Sequence, residues 1–256
     1  MTDIPLMKAH SMTRKPPFRG SGRNDVWFAG SGLIALVIWG VASHADAQEA
    51  EGPRWSANVA VASDYVFRGV SQTEEDAAIS AGVDLTNGAV YAGAWASNVS
   101  FAGDDDTGIE ADLYAGVRPQ FAGFDWDFGG VGYLYDEPGA LDYDYVELKA
   151  AASRAIGPAT VGAALYWSPD FFGAAEDEAT YVEANAAFSP ADRWTVSGAV
   201  GRQFVSSDLD YTTWNLGAAF ALTDALAIDV RYHDTDEHDL GDAYGGRAVA
   251  SLKATF

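Results

Sequence analysis

The sequence has no cysteine among its 256 residues, which removes disulfide frameworks and thiolate metal sites from consideration. Basic residues are scarce: 15 Lys and Arg stand against 37 Asp and Glu, a formal net charge of −22. A chain this acidic repels phosphate backbones, so nucleic acid is excluded as a partner. Histidine is equally sparse, four in all, which leaves little imidazole for metal ligation or acid–base work. Long apolar runs are missing after residue 47, where nothing approaches the roughly 18 residues that mark a helical membrane span.

The one long apolar run lies near the start. "VWFAGSGLIALVIWGV" (26–41) follows a segment carrying Lys8, Arg14, Lys15, Arg19 and Arg23, and it precedes Ala45-x-Ala47. A charged lead, an apolar centre and a small-residue site form the layout of a cleaved secretory signal. The run is shorter than the ~20 residues of a membrane anchor. Residues 1–47 are therefore read as a signal peptide, 48–54 as a short lead and 55–256 as one exported domain. Without the first 47 residues, 10 basic residues face 34 acidic ones.

What the rest of the chain has is alternation. "WSANVAVASDYVFRG" puts Trp55, Ala57, Val59, Val61, Tyr65 and Phe67 on one face and Asn58, Asp64 and Arg68 on the other. "IEADLYAGVR" sets Ile109, Ala111, Leu113 and Val117 against Glu110, Asp112, Tyr114 and Arg118, and "LAIDVRYH" repeats the pattern around Asp229 and Arg231. A period of two is strand geometry. Twelve such segments begin near residues 55, 77, 89, 109, 124, 143, 160, 180, 193, 211, 226 and 246. The connections between them alternate between short turns ("TNG", "PQFAG", "IGPA", "SPAD", "TDA") and longer, acid-rich loops. The six long loops carry 20 acids and no Lys or Arg.

One strand face is apolar and the other carries charge. The charged face holds Asp64, Asp84, Glu110, Asp112, Asp125, Asp127, Glu147, Glu183 and Asp229, opposed by Arg68, Arg118, Lys149, Arg193, Arg231, Arg247 and Lys253. In a soluble barrel the inward face would be the apolar one, so this pattern places the apolar face outward, toward lipid. Charges line a closed interior where water or partners satisfy them, and the interior is expected to be wet. The expected fold is a closed antiparallel up-and-down transmembrane β-barrel of about twelve strands, with short turns on one side and long loops on the other. Twelve tilted strands give a backbone radius near ~12 Å and a lumen about 10 Å across. A tight turn at Asn87-Gly88 predicts that Tyr91 and Trp95 point inward, as a constriction. Outward aromatics, including Phe67, Trp126, Trp167, Trp194 and Trp214, read as interface girdles.

Four segments, "SDYVFRGVSQT" (63–73), "YAGAWASNVSF" (91–101), "IEADLYAG" (109–116) and "YWSPDFFG" (166–173), resemble the TorF family of porins in order and spacing. The resemblance spans Trp55–Phe256 and implies an outer-membrane channel. The terminal "SLKATF" is similar to the C-terminal signature of outer-membrane barrels. That likeness implies that Leu252, Ala254 and Phe256 form the signal read by the outer-membrane assembly machinery.

Three function classes follow. The first is a porin-like channel for small hydrophilic solutes or ions, preferring cations because acidic loops surround its mouth. The second is a closed structural barrel whose loops bind lipopolysaccharide through loosely held Ca²⁺ or Mg²⁺. The loop acids Asp234, Asp236, Glu237, Asp239 and Asp242 are its weak candidate for a cation site, since carboxylate oxygens suit hard cations. "GDDDTG" (103–108) is a similar acidic loop. The third class, an outer-membrane lipid hydrolase, lacks a nucleophile, base and orienter in sequence relation. No catalytic residue and no cofactor are assigned.

Overall fold

The computed structural model describes residues 52–256, apart from 104–106, 137–142, 173–176 and 207. The expected signal peptide, most of the lead and the acids Asp104 to Asp106 lie outside the described residues. Twelve strands form the wall. In chain order, together with three two-residue strands (β2, β3 and β7), they are β1 (Arg54–Ala62), β2 (Val66–Phe67), β3 (Val70–Ser71), β4 (Ala78–Asn87), β5 (Val90–Asn98), β6 (Ile109–Val117), β7 (Gln120–Phe121), β8 (Phe124–Tyr135), β9 (Tyr145–Ile156), β10 (Ala159–Phe171), β11 (Asp177–Ala191), β12 (Trp194–Phe204), β13 (Tyr211–Ala221), β14 (Leu226–Thr235) and β15 (Arg247–Thr255). β2 and β3 pair only with each other, and β7 extends the turn before β8.

Each wall strand pairs antiparallel with its neighbours, and β1 pairs with β15 to close the ring, Val59 opposite Ala254. Just beyond that ladder, the Phe256 N–H donates to the Ala57 carbonyl at 2.8 Å, and the Ala57 N–H donates to the Phe256 carbonyl at 3.1 Å. A closed ring leaves no edge strand with unpaired backbone groups. Period-two alternation then sorts the side chains. Leu113, Leu165, Val200, Leu216 and Val230 are exposed on the outside, and Glu110, Asp112, Glu147 and Asp229 are buried inside. At the short-turn rim, Phe121, Trp126 and Phe128 stack on the outer surface, with centroids 4.9 and 5.7 Å apart. Outward rings stacked at a rim are the arrangement that membrane barrels place at a bilayer interface.

Two details depart from the sequence reading. The β4–β5 turn falls on Gly88-Ala89, with Asn87 opposite Val90 and Leu85 opposite Ala92. This register lies two residues from the expected one. A two-residue shift keeps every side chain on its face, and Tyr91 and Trp95 are both buried inside. The second departure is larger. β1 stops at Ala62 and the chain turns into the barrel, so Tyr65 and Phe67 are buried rather than lipid-facing. Phe67 packs edge-on against Tyr133, with centroids 5.9 Å apart. The loop between β1 and β4, residues 63–77, is an inner element built on the β2–β3 hairpin.

Candidate functional site

The inward loop crosses the whole lumen. In the ring order, β10 is six strands from β1 by either route, so it stands opposite the loop's root. Arg68 at the loop's tip reaches that far side. Its Nη1 and Nη2 donate to the two Glu147 oxygens on β9 at 2.8 and 2.7 Å, and Nη1 donates to Gln203 Oε1 on β12 at 3.0 Å. The guanidinium carbon lies 4.9 Å from the Tyr166 ring on β10 and 4.4 Å from the Tyr181 ring on β11. The side chains of Arg68 and Glu147 are 0% and 2% exposed. The clasp itself is therefore dry, a local departure from the wet interior expected from the sequence. The tip needs Gly69, whose φ is +86° and whose missing Cβ would fall against Thr213 on β13 and Thr235 on β14.

The root of the loop is tied down as firmly. Asp64 accepts from the Ser71 and Thr73 hydroxyls, each at 2.8 Å, and from Arg247 Nη1 on β15 at 3.2 Å. The Gln72 N–H donates to the Tyr65 carbonyl at 2.7 Å and closes the hairpin's neck. Rings fill the rest of the long-loop half: Tyr65 against Trp95 at 5.3 Å, Tyr133 on Tyr145 at 4.3 Å, and Phe101 and Tyr143 against Phe172 at 5.5 and 4.8 Å. Trp95 and Tyr91 thus do not narrow an open pore by themselves. Trp95 supports the loop, and the Tyr91 ring lies under the Arg118 guanidinium at 3.9 Å.

Nine inward acids with few bases would be costly if left unpaired, and tyrosine supplies the missing donors. Glu110 accepts from Tyr65 and Tyr135, each at 2.8 Å, Asp127 from Tyr91 at 2.8 Å, and Asp84 from Tyr114 at 2.7 Å. Glu147 accepts from Tyr133 at 3.2 Å and Glu183 from Tyr181 at 3.1 Å. A phenol fills lumen volume with its ring and neutralises no charge. Besides the Arg68–Glu147 and Arg247–Asp64 pairs, further ion pairs line the wall. Asp127 holds Lys149 at 2.8 Å and Arg118 at 3.4 Å. Asp229 holds Arg231, which also donates to Asn215 and Ser197. Asp125 accepts from Gln120. With Lys149, Ser153 and Asn185 it lines a cavity of about 30 Å³. Asp112 is buried beside Glu110, and Lys253 is half-buried on β15.

Arg193 does not belong to this wall. It stands exposed in the β11–β12 turn and donates to the Leu222 carbonyl at 3.2 Å, because the turn swings it past the last paired residues. Leu252, Ala254 and Phe256 lie along the outer face of the closing strand, with Leu252 and Phe256 exposed.

The acids of 234–242 do not converge on a cation. Asp234 is turned to His238, their Oδ1 and Nε2 2.8 Å apart, while Asp242 offers its main-chain carbonyl to Arg247. Burial raises the Asp236 carboxyl, but the Thr212 N–H donating to it and Arg202 nearby hold it below the usual carboxylate range. Among the described residues, no group of three or more His, Asp or Glu is placed to hold a metal ion.

The architecture is shared with solved porins. The chain is similar to the KdgM porin, with a TM-score of 0.56 at 8% identity over 78% of this chain and 99% of that one. It is similar to the KdgM porin in complex with disordered oligogalacturonate, at 0.53 and 7% over 78% and 99%. It also resembles the NanC porin, at 0.51 and 7% over 79% and 98%. At such identities the likeness establishes the fold, that of an outer-membrane porin barrel. It carries the porin-like barrel that the TorF resemblance implied, without that family's label. No curated protein matches the sequence. Residues 46–256 do match one family over most of the chain, and the protein therefore belongs to the bacterial proteins of unknown function called Gcw_chp.

Proposed function

We propose that this protein is an outer-membrane channel for small hydrophilic solutes or ions, with loop 63–77 as its gate and its acidic outer loops favouring cations. The observation that carries the reading is the reach of Arg68 from the β1 side of the lumen to Glu147 and Gln203 on the far side. A barrel needs no such strut to stand, because its wall is closed by its own ladder. A plug tethered at its root by Asp64 and clasped at its tip by Arg68 can release the tip without disturbing that ladder. The 20 acids of the long loops would set up a negative potential at the mouth.

The test is planar-bilayer conductance of the wild-type barrel and of Arg68→Ala, with reversal potential under a KCl gradient. Arg68→Ala should conduct more, and it should prefer K⁺. That preference should fade as the Debye length falls from about 10 Å at 0.1 M to about 3 Å at 1 M salt. A second reading, a closed structural barrel, is favoured by the complete burial of the clasp. Absence of conductance in both proteins would make it the better account.

A further inference from the structure

The far wall is built as a receptor for a guanidinium. Glu147 meets Nη1 and Nη2 of Arg68 with one oxygen each, at 2.8 and 2.7 Å. This is the paired-fork arrangement that a planar guanidinium satisfies and an ammonium does not. Gln203 adds an acceptor at 3.0 Å. The aromatic faces of Tyr166 and Tyr181 stand 4.9 and 4.4 Å from the guanidinium carbon, within cation–π range. These four groups come from four adjacent wall strands, so they stay in place whether or not the loop does. Phe67, 4.6 Å away, also faces the guanidinium and belongs to the loop.

Two features make the seat more than a structural socket. The receptor holds an acceptor that Arg68 does not use: Tyr166 Oη is buried and has no hydrogen-bond partner among the described residues, while the Arg68 Nε donor is likewise unmatched. Buried polar groups are seldom left so. The loop is also held in backbone conformations that L-residues disfavour, with φ of +47° at Arg68, +51° at Glu74 and +67° at Glu75. The clasp thus works against a strained loop and leaves an acceptor idle.

We propose that this receptor binds small guanidinium-bearing solutes of the arginine type, which compete with Arg68 for Glu147 and release the loop. The inference rests on the channel reading for its role as a gate, while the receptor itself does not depend on it. The acidic loops would gather such cations, and the Glu147 carboxylate would reject anions.

The experiment uses the absence of native cysteine. In Val70→Cys, a single thiol beside the loop tip reports loop release through its maleimide labelling rate. L-arginine or guanidinium chloride should raise that rate over the same ionic strength of NaCl, and L-lysine should be at least about tenfold less effective. Calorimetry on Arg68→Ala in detergent should show arginine binding that Arg68→Ala/Glu147→Gln loses. Equal effects of lysine and arginine, no effect of either, or binding that survives Glu147→Gln would overturn the receptor. Should Arg68→Ala fail to fold, the labelling experiment on the clasped barrel still decides. Arginine-dependent labelling without conductance would keep the receptor and remove the channel. Conductance with no arginine response would do the reverse.

Discussion

Arg247 and Asp64, separated by 183 positions in the sequence, meet at 3.2 Å and bind the root of the inward loop to the last strand of the wall. The pair is nearly dry, with side chains 8% and 6% exposed. Arg247 also donates to the Gly245 and Asp242 carbonyls, and Asp64 gathers two hydroxyls. Root and tip of the loop are thus fixed by separate charge pairs on opposite sides of the ring.

Removing one partner of a buried pair strands the other, which costs about 3–5 kcal/mol. Asp64→Ala should therefore loosen residues 63–77 and leave the wall intact. Hydrogen exchange should show faster exchange at the Gln72 amide with unchanged protection along β9 to β12. Loss of protection throughout the barrel would show instead that the pair supports the wall.

Gly116 makes room for a ring. A Cβ there would lie 2.5 Å from both the Phe128 carbonyl and the Tyr91 hydroxyl. The backbone atom cannot yield without disturbing the β6–β8 ladder, so Gly116→Ala should destabilise the barrel by about 1–3 kcal/mol. Urea unfolding in lipid vesicles would measure it. The same change at Gly130, whose Cβ would meet nothing nearer than 3.6 Å, is the control.

Arginine on the outer face near the middle of a strand, Leu113→Arg or Leu165→Arg, should cost about 2–4 kcal/mol in a bilayer. Ser153→Arg, directed into the polar cavity lined by Asp125 and Asn185, should cost much less. Equal penalties at all three positions would contradict a lipid-facing exterior.

The role of Phe256 separates into ring and backbone. Its ring is 75% exposed, and its main chain makes a pair of hydrogen bonds with Ala57. Phe256→Ala keeps the backbone pair and removes the aromatic. If assembly machinery reads the ring, this variant should accumulate in the periplasm as strongly as a variant lacking Phe256 altogether. A normal yield of heat-modifiable barrel from Phe256→Ala would assign the role to the ladder alone.

The wall was legible in the sequence because a period of two, repeated twelve times between alternating short and long connections, has one closed solution. Each β-segment expected from alternation has its strand, and Glu110, Asp112 and Asp229 face inward as the pattern required. The inward loop was not legible, because "VASDYVFRG" keeps alternating after the strand ends at Ala62. Tyr65 and Phe67 look like two more lipid-facing residues when the chain is read as continuing straight. The cue was chemical rather than periodic: an Arg-Gly step flanked by Asp64, Ser71 and Thr73, which can cap a hairpin locally. Tyrosine was the other overlooked signal. Of the 12 in the chain, Tyr65, Tyr91, Tyr114, Tyr133, Tyr135 and Tyr181 each donate to an inward carboxylate. Counting charges alone overlooked these phenol donors.

The clasp also has a place in time. Residues 63–77 leave the ribosome early, yet Arg68 waits for Gln203, 135 positions later, and Asp64 waits for Arg247. Contacts so distant in sequence form late and slowly. During insertion the loop therefore has no seat until β9 to β12 have curled round to face it, and its root has no anchor until the ring is sealed by β15. The barrel would be assembled around an empty centre and stoppered last, so that a wall caught half-built is a leaking one.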